Sequence, residues 1–267
     1  ALAANTTGSQ NTAIGYQSMF GNTSGGYNTA TGLFSLYSNT TGLDNSAFGW
    51  RALFSNTTGG SNTAVGENAL GSNTTASNNT AVGYQAGYSN TTGTSLVAMG
   101  RNAALSNTTG NDITAIGRDA LYSNTTGASN TALGSGALLS NTTASSNTAV
   151  GYQALYSNTV SASQTALGYQ ALYSLTGIYN GGNTALGQGA GYSQTSGYSN
   201  TYVGYNSGYN MTTGAKNTIL GGYSGNQGGL DIRAGNNYIV LSDGDGNIGF
   251  STVKASRSEE HTSELQS

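Results

Sequence analysis

Asn147-Thr148-Ala149-Val150-Gly151-Tyr152-Gln153-Ala154-Leu155-Tyr156-Ser157-Asn158-Thr159 decides the fold, because near copies of it fill most of the chain. The glycine that closes Asn-Thr-Ala-apolar-Gly recurs as Gly15, Gly32, Gly49, Gly66, Gly83, Gly100, Gly117, Gly134, Gly151 and Gly168, always 17 residues apart. A two-residue insertion delays Gly187, after which the spacing resumes at Gly204 and Gly221. A period this short suits one coil of a solenoid per unit rather than a string of separate domains. The expectation is an all-β fold, a parallel β-roll or β-solenoid of about 13 coils of 17 residues.

Numbered from Asn147, position one of the unit is mostly Asn and position two is Thr or Ser except at Val97. Position three is Ala in eleven of thirteen units, with Tyr202 and Ile219 in the last two. Position four is apolar except at Thr31, and position five is always Gly. Side chains alternate along a strand, so positions two and four share one face and one and three the other. The apolar ladder at position four is expected inside, with Thr beside it, and the glycine is expected to turn a corner. A second short strand is expected to follow. Position eight is Ala or Ser throughout, which suggests a close approach of another backbone. Position nine is often leucine (Leu36, Leu53, Leu70, Leu121, Leu138, Leu155, Leu172), and position ten is mostly aromatic or Leu. Ser-Asn-Thr-Thr-Gly, rich in residues that bond their own backbone, makes the second corner.

Positions nine and ten are adjacent, so in an extended strand one of them faces outward. Rungs about 4.8 Å apart make that stripe roughly 60 Å long, more than a soluble monomer ordinarily exposes. Self-association follows, with the leucines of position nine or the aromatic residues of position ten as candidate interface. A 17-residue coil also encloses little core of its own, which points the same way.

Pro and Cys are absent, so neither disulfides nor thiolate metal sites hold the chain. No apolar run is long enough for a membrane-spanning helix. Ala1-Leu2 followed by Asn5-Thr6-Thr7-Gly8 matches the second half of a unit, so the chain opens in mid-coil. Residues 1–224 are the repeat domain. Residues 225–256 are a Gly-rich exit segment and a hairpin, expected to lead toward a further C-terminal domain. Residues 257–267, Arg-Ser-Glu-Glu-His-Thr-Ser-Glu-Leu-Gln-Ser, break with the composition and resemble a translated sequencing adapter. Setting them aside leaves six basic and seven acidic residues, so the body is almost neutral. Such a surface has no evident affinity for nucleic acid or anionic membranes.

Without the tail there is no His or Cys, and the carboxylates Asp44, Glu67, Asp112, Asp119 and Asp231 are scattered over the unit, so catalysis has no constellation to use. No cofactor is implied. Arg51, Arg101 and Arg118 fall at positions six and seven and compose no anion site. Asp243, Asp245 and Asn247 have the spacing of the first calcium-loop ligands, but Ile248 and Lys254 stand where Gly and Glu are needed, so a hairpin turn is expected. Asn39, Asn56, Asn73, Asn90, Asn107, Asn124 and Asn141 open glycosylation sequons, read here as corner residues that cap backbone groups.

The units Asn-Thr-Ala-apolar-Gly-Tyr-Gln-Ala-Leu, over about Ala1 to Ile248, resemble the head repeats of YadA-like trimeric autotransporter adhesins. They resemble more closely the longer repeats of bacterial and phage tail fibre domain-containing proteins. The resemblance implies a left-handed parallel β-roll, three chains side by side, on a bacterial cell surface or a virion. In relatives a segment similar to Tyr238-Ile239-Val240-Leu241-Ser242-Asp243-Gly244 often precedes an intramolecular chaperone domain that assembles the trimer. The period of 17 is longer than that of the adhesin heads. The expected function is therefore non-enzymatic: an extracellular homotrimeric shaft or head that attaches to a host receptor or glycan. The rivals are a monomeric ice- or surface-binding solenoid, with Thr ladders, and a polysaccharide-cleaving spike, which the scattered carboxylates disfavour.

Overall fold

A computed structural model describes residues 1–177 and 181–253. The tail at 257–267, Lys254, and residues 178–180 of the long tenth coil lie outside the described residues. Thirteen strands, from β1 (Thr12–Ile14) to β13 (Thr218–Leu220), occupy positions two to four of successive units and pair in sequence order, all parallel. The register is one unit per rung: Thr63 faces Thr80, Ala64 faces Ala81 and Val65 faces Val82. The protein is thus a β-solenoid. Position one joins the strand only in β6 (Leu96–Met99) and β7 (Ile113–Ile116), where Leu96 and Ile113 replace Asn. The long coil is absorbed without loss of register, since β10 (Thr165–Leu167) still sets Ala166 against Ala185 of β11 (Thr184–Leu186).

The inside and the outside of the strand are the reverse of the expectation. Alanine of position three is fully buried, as at Ala64, Ala81 and Ala149, while position four points outward, with Val65 37%, Phe48 41% and Leu133 43% exposed. The interior explains why. Leucine of position nine and Ala or Ser of position eight fill the opposite wall, and only a methyl fits between such a leucine and the strand; where position nine is Gly191 and Gly208, the buried ring of Tyr202 takes the space.

The second strand does not form. The residues after the corner are turns, and positions seven and nine hold left-handed backbone, for example Gln153 and Leu155, both at φ 53°. Two such residues one apart break strand alternation, so Ala154 and Leu155, though adjacent, both point into the core. The leucines Leu36, Leu53, Leu70, Leu121, Leu138, Leu155 and Leu172 are 0% exposed within a single chain. They form its core, so they are not an intermolecular stripe.

The anchor glycines do turn the corner. Gly66 has φ +131°, and a Cβ there would lie 2.5 Å from the carbonyl oxygen of Gly83 one rung on. Backbone stacking continues around the coil beyond the strands: Leu36 N–H donates to Ala52 O at 2.9 Å and Thr40 N–H to Thr57 O at 2.9 Å.

Two asparagine ladders run inside the solenoid. At position twelve each Nδ2 donates to Oδ1 of the preceding coil, as in Asn73 to Asn56 at 2.8 Å, Asn124 to Asn107 at 2.8 Å and Asn141 to Asn124 at 2.8 Å. The same Nδ2 also closes the local turn, as in Asn124 to Gly127 O at 3.0 Å. At position one the backbone N–H donates to Oδ1 of the asparagine one coil back, as in Asn62 to Asn45 at 3.1 Å, a file broken where Leu96 and Ile113 replace Asn. These amides are buried and, apart from the Nδ2 of Asn147, bonded, which is the condition for keeping polar groups in a core.

Residues 225–237 depart from the unit, yet β14 (Tyr238–Ser242) rejoins the sheet as its next parallel rung, with Val240 opposite Ile219. β15 (Ile248–Val253) then pairs antiparallel with β14, forming the expected hairpin.

Candidate interaction face

The outward face of the sheet carries two parallel rows. Position four supplies Ile14, Thr31, Phe48, Val65, Val82, Met99 and their successors to Leu220, and β14 adds Leu241, 41% exposed. Position two supplies the Thr row beside it, ending at Ile239, 46% exposed. At about 4.8 Å per rung and about 7 Å between rows, the apolar row alone covers on the order of 400 Å². That is within the range of the largest apolar patches on ordinary monomers, and such patches are commonly functional.

Beyond the glycine corner, position six adds exposed Tyr16, Leu33, Trp50, Tyr84, Tyr152, Tyr169 and Tyr205. Position ten forms a second, half-buried aromatic file. Tyr156, Tyr173, Tyr192 and Tyr209 stack successively at 5.1, 5.1 and 4.8 Å, within 9° of parallel. Burial and the neighbouring Tyr156 and Tyr192 push the Tyr173 phenol above its usual value.

No family model, curated protein or solved structure matches this chain.

The polar and charged candidates also take definite places. Asp119 accepts from Asn102 Nδ2 at 3.0 Å and lies 3.6 Å from Arg101 and 3.5 Å from Arg118, so two of the three repeat arginines share one carboxylate. Asp243 accepts from the backbone of Asp245 and Asn247 and from Asn247 Nδ2, at 2.8–3.0 Å. The Asn247 side chain, then its backbone N–H, holds the Asp243 carboxyl below the usual carboxylate range. These bonds close the turn between β14 and β15, so Asp243, Asp245 and Asn247 make the hairpin that the spacing predicted. No cluster of three or more His, Cys, Asp or Glu with metal-binding geometry occurs among the described residues. No described helix is long and apolar enough to cross a membrane. The sequon asparagines Asn39, Asn56, Asn73, Asn90, Asn107, Asn124 and Asn141 are all 0% exposed, and their Nδ2 atoms are engaged in the ladder, so the folded chain offers none of them to a glycosyl donor.

The buried asparagine ladders and the outward position-four row were missed from sequence. Both had a signal. Position three hardly changes in volume over eleven units, while position four ranges from Thr31 to Phe48 and Met99. A wall packed against other side chains tolerates little change in volume, whereas an open face tolerates much.

Proposed function

We propose that this chain is the shaft or head of a non-enzymatic, extracellular attachment fibre, in which three copies pack side by side through the position-four row. The observation that supports this reading is the apolar row on a parallel sheet, repeated rung upon rung from Ile14 to Leu241 with Thr31 its one polar member. One chain can hide that row only against another surface of the same length, and identical copies supply one with matching period. The likeness of the unit to trimeric adhesin heads and tail fibre repeats supports the copy number and the setting on a cell or virion surface. Three copies would also multiply weak receptor contacts into firm attachment. The test is light scattering after size exclusion. The expected mass is three times the 26.8 kDa of one chain, and a folded monomer at high concentration refutes the assembly.

A second reading gains from the same geometry, since the Thr row of position two faces outward beside the apolar row, as ice-ordering solenoids require. Its weakness is relief: Phe48 and Met99 stand among Val and Thr31, so the face is not level. Ice-growth inhibition by a monomeric chain would favour it, and its absence would remove it.

A further inference from the structure

The unit departs from itself most at one place. Positions six and seven are Tyr-Gln in the coils of Gly15, Gly83, Gly151 and Gly168, but Leu33-Phe34 and Trp50-Arg51 in the second and third coils. Position seven is left-handed backbone, with Phe34 at φ 57° and Arg51 at φ 55°. In the other coils as far as Asn206 it holds Gln, Asn, Asp or Gly, and a bulky aromatic residue is disfavoured in that conformation. Phe34 packs edge-on against Tyr16 of the preceding coil at 5.8 Å, but the coils that carry Gln at position seven stack without such a residue. Residues held against the local backbone rule are candidates for function.

These residues come together. Phe34, Tyr37, Trp50, Arg51 and Phe54 line a depression of ≈ 250 Å³, predominantly apolar. Phe34 meets Tyr37 edge-on at 5.7 Å and Phe54 edge-on at 6.4 Å, and Tyr37 stacks on Phe54 at 5.2 Å. The Arg51 guanidinium lies over Phe54 at 4.2 Å from the ring centroid, and 6.0 Å from that of Trp50. Trp50 is 43% exposed and stacks on none of these rings. The tyrosine file of position ten differs in this respect, because its ring faces cover one another. Among the described residues Arg51 is also the arginine left without a carboxylate: Arg101 and Arg118 have Asp119, and Arg233 has Asp231.

We propose that this depression binds an acidic pyranose, a uronic or sialic type of sugar. Five side chains are far too few for a protein interface, which buries roughly 1,600 Å², and the volume lies just below the ordinary range of small-ligand sites, about 300–1,000 Å³. An apolar floor with one exposed indole takes the C–H face of a sugar ring. A guanidinium pinned on an aromatic face and lacking a partner takes a planar carboxylate through two parallel N–H donors. The ligand class deepens the attachment reading and rests on it for biological sense, but the binding itself does not depend on assembly.

Trp50 is the only tryptophan of the 267 residues, so its fluorescence reports this site alone. The full chain is titrated with glucuronic acid, galacturonic acid and N-acetylneuraminic acid, with acetate as a carboxylate lacking the ring. Expected is a saturable change in Trp50 emission with at least one acidic sugar and none with acetate. Arg51→Gln and Phe34→Gln place at position seven the residue that Gln17, Gln85, Gln153 and Gln170 already carry there, so the coil keeps its fold, as circular dichroism verifies. Each is expected to weaken binding about tenfold, the loss of one charge-assisted contact or one packed ring. No saturable change with any of the three sugars, an equal response to acetate, or unchanged binding in both variants overturns the proposal. A response confined to a Val82→Lys monomer and absent from a wild-type trimer would place Trp50 in the assembly interface and overturn it too. The light-scattering result is independent of these outcomes, so failure of the site and failure of the shaft are told apart.

Discussion

Asn107→Ala tests whether buried amides hold the coils in register. Asn107 Nδ2 donates to Asn90 Oδ1 at 2.9 Å and to Gly110 O at 3.1 Å, and its Oδ1 accepts from Asn124 Nδ2 at 2.8 Å. Truncation leaves Asn90 Oδ1 and Gly110 O without these donors in a dry interior, whereas Asn124 Nδ2 keeps Gly127 O at 3.0 Å. Each orphaned buried acceptor costs about 1–3 kcal/mol, and the small cavity adds to that, so the loss should be about 3–5 kcal/mol. Asn107→Asp should be worse, because it sets a carboxylate oxygen against Asn90 Oδ1 at the distance where a donor stood. Asn107→Leu should be milder than either, since Leu175 already occupies position twelve of another coil and is buried there. Because each coil contacts only its neighbours, the effect is local. It is best read as accelerated amide exchange over residues 90–127, together with the chemical-denaturation midpoint. A loss below about 0.5 kcal/mol for Asn107→Ala, or an aspartate variant as stable as the alanine one, would refute the reasoning.

Three further outcomes are expected. Gly83→Ala forces a left-handed residue at φ +135° and brings a Cβ to 2.6 Å from Gly100 O, so that coil should not close. Gly93→Ala also brings a Cβ to 2.5 Å from a backbone oxygen, that of Gly110, but its φ is not positive and Ala76 and Ala144 hold the same position in their coils, so it should be the milder of the two, and thermal melts separate the cases. Val82→Lys places a charge in the outward row, so it should abolish assembly on size exclusion while leaving the circular dichroism of the single chain unchanged. Burial, offset in part by the Gln227 backbone, pushes the Tyr223 phenol up to about 12, and its hydroxyl donates to Leu230 O at 2.7 Å. A phenol whose pKa is raised on folding contributes stability below its unfolded value near 10 and loses it as pH rises toward 12. Denaturation midpoints should therefore fall across that window, and less steeply in Tyr223→Phe.

The period, the parallel rungs, the glycine corner and the Asp243 hairpin were legible because each is a local rule. A repeat length, an invariant Gly and an Asp-Gly-Asp-Gly run between apolar stretches speak for themselves. The sidedness of the strand was not legible by hydrophobicity. Alternation offers two phases, and Val65 outranks Ala64 as a core residue only when the width of the interior is unknown. That width is set by Leu70 and its equivalents across the coil, and their inward direction depends on left-handed residues that apolar pattern does not announce. The asparagine ladders were hidden for a related reason: a polar residue reads as surface until its partner, one period away, is recognised as another copy of itself. Trp50 and Arg51 were visible as departures from the unit, but their convergence with Phe34 and Phe54 needed the stacking of coils.

The uniform junction between coils leaves the length of the molecule unconstrained by its chemistry. From Gly15 to Gly168 successive seams join closely similar alanine, leucine and asparagine files, so excising or duplicating 17 consecutive residues within that stretch restores an equivalent seam. Unequal crossing-over between such similar stretches of a gene would then add or remove whole rungs of about 4.8 Å each, without passing through a misfolded product. Reach becomes a quantity that recombination can adjust in small equal steps, while sites such as the one at Trp50 are carried up or down the rod intact.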